Sequence, residues 1–189
     1  MRPFGEGGDM VQHAALRSGG EGSALKGRRL SFLGGGNMAE ALIRGLLEAK
    51  LVEPSQITVS DVLEERLQHL RKAYGVSTAS RNAEAARGRD LVILAVKPQS
   101  MPAVLEEVRG VVGGLMVIAS IAAGFPLSAM EGVLGPGLKL VRVMPNTPSL
   151  VLEGAAAICA TPEVSDEDLL MTRQVFEAVG KVMIVDEKL

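Results

Sequence analysis

The stretch Leu30-Ser31-Phe32-Leu33-Gly34-Gly35-Gly36-Asn37-Met38-Ala39 governs the reading of the whole chain. A short apolar strand, carried by Leu30, Phe32 and Leu33, runs directly into three glycines. Helical spacing follows through Ala39, Leu42, Ile43, Leu46 and Leu47. Small residues at Gly34, Gly36 and Ala39 reproduce the G-x-G-x-x-A spacing, and each place has its own physical demand. The first small residue permits a tight turn off the strand. The second lets a diphosphate approach the backbone, and the third lets helix and strand pack closely. The N–H groups that open the helix after Gly36 would then face the diphosphate. A glycine-rich turn without a ligand would look the same in isolation, so the flanking elements decide. Here a strand precedes the turn, an amphipathic helix follows it, and a second strand, Ile57-Thr58-Val59-Ser60, stops at Asp61.

Working outward, the pattern repeats. A polar helix from Leu63 to about Ala73 turns Leu67 and Leu70 inward, and Gly75 is placed to end it. Val76 to Thr78 reads as a weak third strand, and Ala83 to Ala86 as a helical turn. Leu91 to Val96 is continuously apolar, as expected of a strand buried on both faces. Pro98 then opens a helix whose inward stripe is Met101, Val104, Leu105 and Val108. Further strands are expected at Met116–Ala119, Lys139–Val143, Ala155–Cys159 and Val182–Val185. Ser165 caps a helix through Leu169, Leu170, Val175, Phe176 and Val179, with Asp168 placed for a capping box. Strand alternating with helix predicts an α/β fold, a Rossmann-type three-layer domain with an open, mainly parallel sheet. The last strands are expected to be mixed in direction. This domain is expected to span 28–189, and the Gly- and Ser-rich residues 1–27 are expected to be a disordered leader.

Composition narrows the function classes. Aromatics make up 3% of the chain and Trp is absent, so the core must be built from Leu, Val, Ile, Ala and Met. A formal net charge of -2, with no basic tract or aromatic ladder, argues against a nucleic-acid partner. Cys159 is the only cysteine, which excludes an intrachain disulfide and a thiolate metal cluster and suits a reducing, cytoplasmic setting. No metal site is expected. No signal peptide is recognisable and no apolar run reaches transmembrane length, so no membrane partner is expected.

Ligands in such sheets bind beyond the carboxyl ends of the strands. Asp61 stands there, where it would accept hydrogen bonds from the adenosine ribose of NAD and repel the 2′-phosphate of NADP. Arg66, a turn into the next helix, could instead meet that phosphate, and both side chains could equally be a solvated helix start. Lys97 ends an apolar strand at the rim of the sheet. Ser120 is placed to hydrogen-bond a cofactor. Asn146, between Pro145 and Pro148, could turn its amide toward a nicotinamide or a substrate, or simply close an Asx-type turn. No histidine or carboxylate pair offers an obvious proton donor, and Cys159 reads as core.

Three separated motifs add a resemblance. Phe32-Leu33-Gly34-Gly35-Gly36-Asn37-Met38-Ala39-Glu40-Ala41, Ala95-Val96-Lys97-Pro98-Gln99 and Val143-Met144-Pro145-Asn146-Thr147-Pro148 resemble the pyrroline-5-carboxylate reductases. The match runs from about Arg29 to Leu189. The resemblance implies reduction of 1-pyrroline-5-carboxylate to L-proline by NADPH or NADH. It also implies cofactor contacts at Leu33, Gly34, Gly35, Gly36, Asn37 and Met38, at Asn82, at Ala95, Val96, Lys97 and Pro98, and at Ser120, Ile121 and Ala122. Asn146 is the one candidate near the chemistry. The family pattern continues past Leu189 into a helical domain that makes the oligomer and binds the substrate. The 189-residue chain alone is therefore expected to supply the cofactor part and to turn over little. Two other readings stand beside it: the cofactor domain of a 3-hydroxyacid-type dehydrogenase or other imine reductase, and a non-catalytic NAD(P)-binding module.

Overall fold

The computed structural model describes residues 22–187. The order of elements is β1 (Leu30–Leu33), α1 (Asn37–Glu48), β2 (Ile57–Ser60), α2 (Glu64–Tyr74), β3 (Ser77–Ala79) and α3 (Asn82–Ala86). It continues with β4 (Leu91–Leu94), α4 (Met101–Val108), β5 (Val117–Ser120) and α5 (Leu127–Leu134). It closes with β6 (Lys139–Pro145), β7 (Gly154–Ala160), α6 (Asp166–Glu177) and β8 (Gly180–Ile184). They form one sheet in the order β3-β2-β1-β4-β5-β6-β7-β8. The strands from β3 to β6 are all parallel. β7 then runs antiparallel to β6, and β8 runs parallel to β7. The Rossmann-type, mainly parallel sheet is as expected, including the reversed late strands.

Apolar content explains the layering. Every residue of β1, β2, β4 and β5 is buried, because helices cover both faces of the sheet. Successive residues serve opposite faces. Phe32, Leu91, Ile93, Val117 and Ala119 pack with α1 and α6. Leu33, Val92, Leu94 and Ile118 pack with α3, α4 and α5. Each fully buried Leu or Ile side chain in these layers contributes about 1.5–3 kcal/mol relative to an exposed one.

Helix ends follow local chemistry. α2 begins with Glu64 and Glu65, carries Arg71 and Lys72 in its last turn, and stops at Gly75 in the left-handed region at φ +70°. α6 carries the expected capping box: the Asp168 N–H donates to Ser165 Oγ at 3.2 Å, and the Ser165 N–H donates to Asp168 Oδ2 at 3.1 Å. Lys139 Nζ lies 2.8 Å from the same Asp168 oxygen and ties the helix start to β6.

Three features differ from the sequence reading in detail. α5 has no counterpart in it, although Leu127, Met130 and Leu134 are its buried stripe. Gly132 within it, and Gly124 and Gly135 on either side, weaken the helical signal. Pro98 opens a 3-10 turn, Pro98–Ser100, which leads into α4. Residues 1–21 of the expected leader lie outside the described residues, but Leu25 is wholly buried in the core beside α1. The Ala24 N–H donates to Gln174 Oε1 of α6 at 2.9 Å, so packing begins ahead of residue 28. Among the described residues, no helix is long and apolar enough to cross a membrane.

Candidate functional site

The strand registers set the carboxyl ends level. Leu33 pairs with Leu94, Leu94 with Ser120, and Ser120 with Arg142. The turns after β1, β4 and β5 therefore leave the sheet along one rim. After β1 the chain crosses to the face covered by α1, and after β4 to the face covered by α4. A crevice must open where the direction reverses, between β1 and β4.

Gly34 occupies the tightest point of that rim. Its φ is +99°, and a Cβ there would lie 2.6 Å from the Ala95 carbonyl oxygen. Its N–H donates to the Ser60 carbonyl at 2.8 Å, and the Ala95 N–H donates to the Leu33 carbonyl at 2.8 Å. The turn is thus locked to both neighbouring strands. Gly36, one step before α1, has open space on its Cβ side, and α1 has no side-chain cap. The N-terminal N–H groups of α1 and the positive end of its dipole are left for an anion. Ala39, completely buried, closes the helix onto the strand.

At the tip of β2, Asp61 faces the same turn. Its Oδ2 accepts the Gly35 N–H at 2.7 Å and its Oδ1 accepts the Leu63 N–H at 2.9 Å. Arg66 reaches over from α2, donating through Nε to the Gly35 carbonyl and through Nη2 to the Glu40 carboxylate. Glu40 also accepts the Tyr74 hydroxyl at 2.9 Å and meets His69 Nε2 at 2.8 Å. Burial would raise the Glu40 carboxyl, but hydrogen bonds from His69, Arg66 and Tyr74 outweigh it and bring the group from 4.5 down to about 2.

On the other side of β2, Ser60 is buried and its hydroxyl donates to Asn82 Oδ1 at 2.8 Å. Asn82 Nδ2 donates to Glu107 Oε2 at 2.7 Å, linking β2, α3 and α4. The residues themselves carried no signal for Asn82. A serine closing β2 and an asparagine opening a short helix become partners only through the parallel sheet. Ser120 is fully buried, and its Oγ accepts the Ala122 N–H at 3.2 Å, which shapes the turn after β5. The Ile121 N–H donates to the Leu94 carbonyl at 3.2 Å, so this turn is bound to the end of β4. Ala95 and Val96 are half-buried at the rim, while Lys97 and Pro98 are exposed.

The candidate Asn146 and the core residue Cys159 stand apart from the crevice floor. β6 runs past the level rim to Pro145, so Asn146 lies further out on the loop to β7. Its amide oxygen accepts the Ala155 N–H at 2.9 Å and closes the β6–β7 pair. Cys159 is buried in the core, where burial pushes its thiol up, and its Sγ lies 3.8 Å from the Arg142 carbonyl. A cleft of about 310 Å³ adjoins the outer face of α1, lined by Asn37, Glu40, Ala41, Arg44 and Leu150. Arg44 is held there by the Leu150 carbonyl at 2.7 Å, so the β6–β7 loop and α1 share this wall.

A family model described as NADP oxidoreductase, coenzyme F420-dependent, matches residues 29–124, more than half of the chain. The chain belongs to this family. Its sequence is similar to the pyrroline-5-carboxylate reductase of Methanosarcina acetivorans, 38% identical over 165 residues, which are 87% of this chain and 61% of that protein. Its fold is similar to a pyrroline-5-carboxylate reductase from Coxiella burnetii, with a TM-score of 0.83 at 32% identity over 85% of this chain and 60% of that one. It also matches the Plasmodium falciparum pyrroline carboxylate reductase solved with NADP bound, with a TM-score of 0.76 at 28% identity over 85% of this chain and 58% of that one. The chain thus spans about 60% of the length of these oxidoreductases.

Proposed function

We propose that this chain binds a reduced nicotinamide dinucleotide across the β1–α1 turn and forms the cofactor part of a pyrroline-5-carboxylate reductase, which converts 1-pyrroline-5-carboxylate to L-proline. The observation that carries the reading is the Gly34–Gly36 turn. Gly34 is wedged against Ala95, while Gly36 and an uncapped helix start are left open beside the crevice at the strand-order reversal. The likeness to reductases along 85% or more of the chain supports the choice of reaction.

In this reading the diphosphate lies on the turn from Leu33 to Met38, where backbone N–H groups and the α1 dipole offset its charge. Asp61 takes the adenosine ribose. Ala95, Val96, Lys97 and Pro98 form the wall after β4, and Ser120, Ile121 and Ala122 form the next wall. Asn82, fixed by Ser60 and Glu107, keeps the floor between β2 and α3 rigid. Bound there, the reduced dinucleotide would supply a hydride to the carbon of the protonated imine, whose C=N π pair becomes the nitrogen lone pair, so that the nitrogen retains its proton as the amine of proline. Asn146, already holding the Ala155 N–H, shapes the loop at the nicotinamide end. A cytoplasmic setting suits this reading, with Cys159 a buried free thiol.

Calorimetric titration of NADH and NADPH into the chain tests the binding step. Loss of reduced-nicotinamide absorbance on adding 1-pyrroline-5-carboxylate tests the reaction in a protein carrying this domain at full relative length. Heat from neither dinucleotide would overturn the proposal at its base.

A further inference from the structure

We propose that this site selects NADH over NADPH, with Asp61 as the selecting residue and Glu40 as the positioning residue that withholds Arg66 from a 2′-phosphate. The inference rests on the dinucleotide reading above and goes beyond it.

The two cofactors differ by one phosphate on the adenosine ribose. An acid at the end of the second strand accepts the ribose hydroxyl, whereas a nearby guanidinium accommodates the phosphate. Asp61 and Arg66 both converge on Gly35. The Asp61 Oδ2 and the Arg66 Cγ would each lie 3.4 Å from a Cβ built on that glycine. Which of the two faces the ribose is therefore a question of which is free to move.

Asp61 is fixed by two backbone donors, the Gly35 and Leu63 N–H groups, one on each oxygen. Swinging it aside would release both. A carboxylate oxygen has more than one acceptor site, so Asp61 can hold this position and still receive a ribose hydroxyl. A phosphate at the same place would meet its charge in a half-buried setting, where screening is weak.

Two of the five Arg66 donors are already committed, which fixes the plane of its guanidinium. Its Nε is bound to the Gly35 carbonyl and its Nη2 to the Glu40 carboxylate. Glu40 is in turn held by Tyr74 and His69, so following Arg66 outward would break both of these contacts. Turning the guanidinium to a phosphate would break a charge-assisted bond and strand a carboxylate that is only 23% exposed. Glu64 and Glu65 in the first turn of α2 add negative charge within four residues of Asp61. The tip of β2 is thus anionic with its arginine neutralised, which suits a ribose diol and opposes a phosphomonoester.

Isothermal titration of the full chain with NADH and with NADPH reads the selection directly. The expected Kd for NADPH is about tenfold or more above that for NADH. Asp61→Ser is expected to move the ratio of the two constants toward NADPH by about tenfold. Glu40→Gln is expected to move it the same way by about threefold to fivefold, because Arg66 loses its partner. Adding Arg66→Ala to Glu40→Gln should cancel that gain, which general damage to the fold would not do. NADPH binding as tightly as NADH to the unaltered chain would overturn the inference alone. An unmoved ratio in Glu40→Gln would overturn the part assigned to Glu40. Binding of neither dinucleotide would overturn the underlying reading, and this inference with it.

Discussion

Gly34 and Ala95 stand against each other at the rim between β1 and β4, with the Cβ position of Gly34 2.6 Å from the Ala95 carbonyl oxygen and a Gly34 φ of +99°. Both facts oppose any side chain. Gly34→Ala should therefore destabilise the domain by about 2–4 kcal/mol, combining a left-handed backbone with overpacking against a fixed carbonyl. Urea unfolding measures this, and a midpoint within error of the parent would contradict it. Because the turn also presents the α1 N-terminus, the variant should lose dinucleotide binding even where it remains folded.

A second close approach holds the first helix to the last. A Cβ on Gly45 of α1 would lie 2.7 Å from the Ala178 carbonyl oxygen, with Val179 at 3.1 Å. Alanine is normally the better helix former, by about 1 kcal/mol. Here the packing penalty should win, and Gly45→Ala should lower stability by about 1–3 kcal/mol. A rise in melting temperature would show that α1 and α6 can separate cheaply.

Glu40 makes stability depend on pH. Its carboxyl is brought from 4.5 to about 2, against the opposing effect of burial, by His69, Arg66 and Tyr74. A lowered acid stabilises the fold above its unfolded value and loses that stabilisation as pH falls toward its folded value. The difference corresponds to about 3 kcal/mol, reduced to about 2 kcal/mol by the solvent that reaches the group. The loss should fall between about pH 5 and pH 2. Asp168, lowered by Lys139 and Ser165 against its own burial, adds in the same direction. Chemical unfolding of the parent and of Glu40→Gln across this range should give a shallower slope for the variant. Parallel curves would remove Glu40 from the account.

The Ser60–Asn82–Glu107 chain predicts a cost without any ligand. Asn82→Ala leaves the buried Ser60 hydroxyl without its 2.8 Å acceptor and frees Glu107 from the 2.7 Å bond. The loss should be about 1–3 kcal/mol. Combining it with Ser60→Ala should recover part of that loss, since the stranded hydroxyl is gone. A double-mutant cycle reads the coupling, and strictly additive effects would break the proposed link.

Much of the framework was legible because its signals are local. Leu91 to Leu94 is continuously apolar since both faces of the strand are covered. Gly75 ends α2 because only a residue tolerant of positive φ fits there. Ser165 and Asp168 cap α6 across a three-residue spacing that any reader of the chain can find. α5 was not legible, because glycines at 124, 132 and 135 dilute its stripe of Leu127, Met130 and Leu134. Asn82 was accessible only through resemblance, since its partners lie 22 and 25 positions away.

The Leu30–Ala39 stretch announces its turn by itself, because a tight turn, a close backbone and a packed helix each demand a small residue at a set spacing. Asp61 likewise announces an acid at a strand end. What the linear chain leaves open is which charged side chain remains free beside that turn. Arg66 and Asp61 are equal candidates in sequence. Folding brings Glu40, His69 and Tyr74 around Arg66 and presents two backbone N–H groups to Asp61. The reason is physical: the strength of a charge at a site depends on partners gathered from distant segments, and only packing of α2 against α1 gathers them.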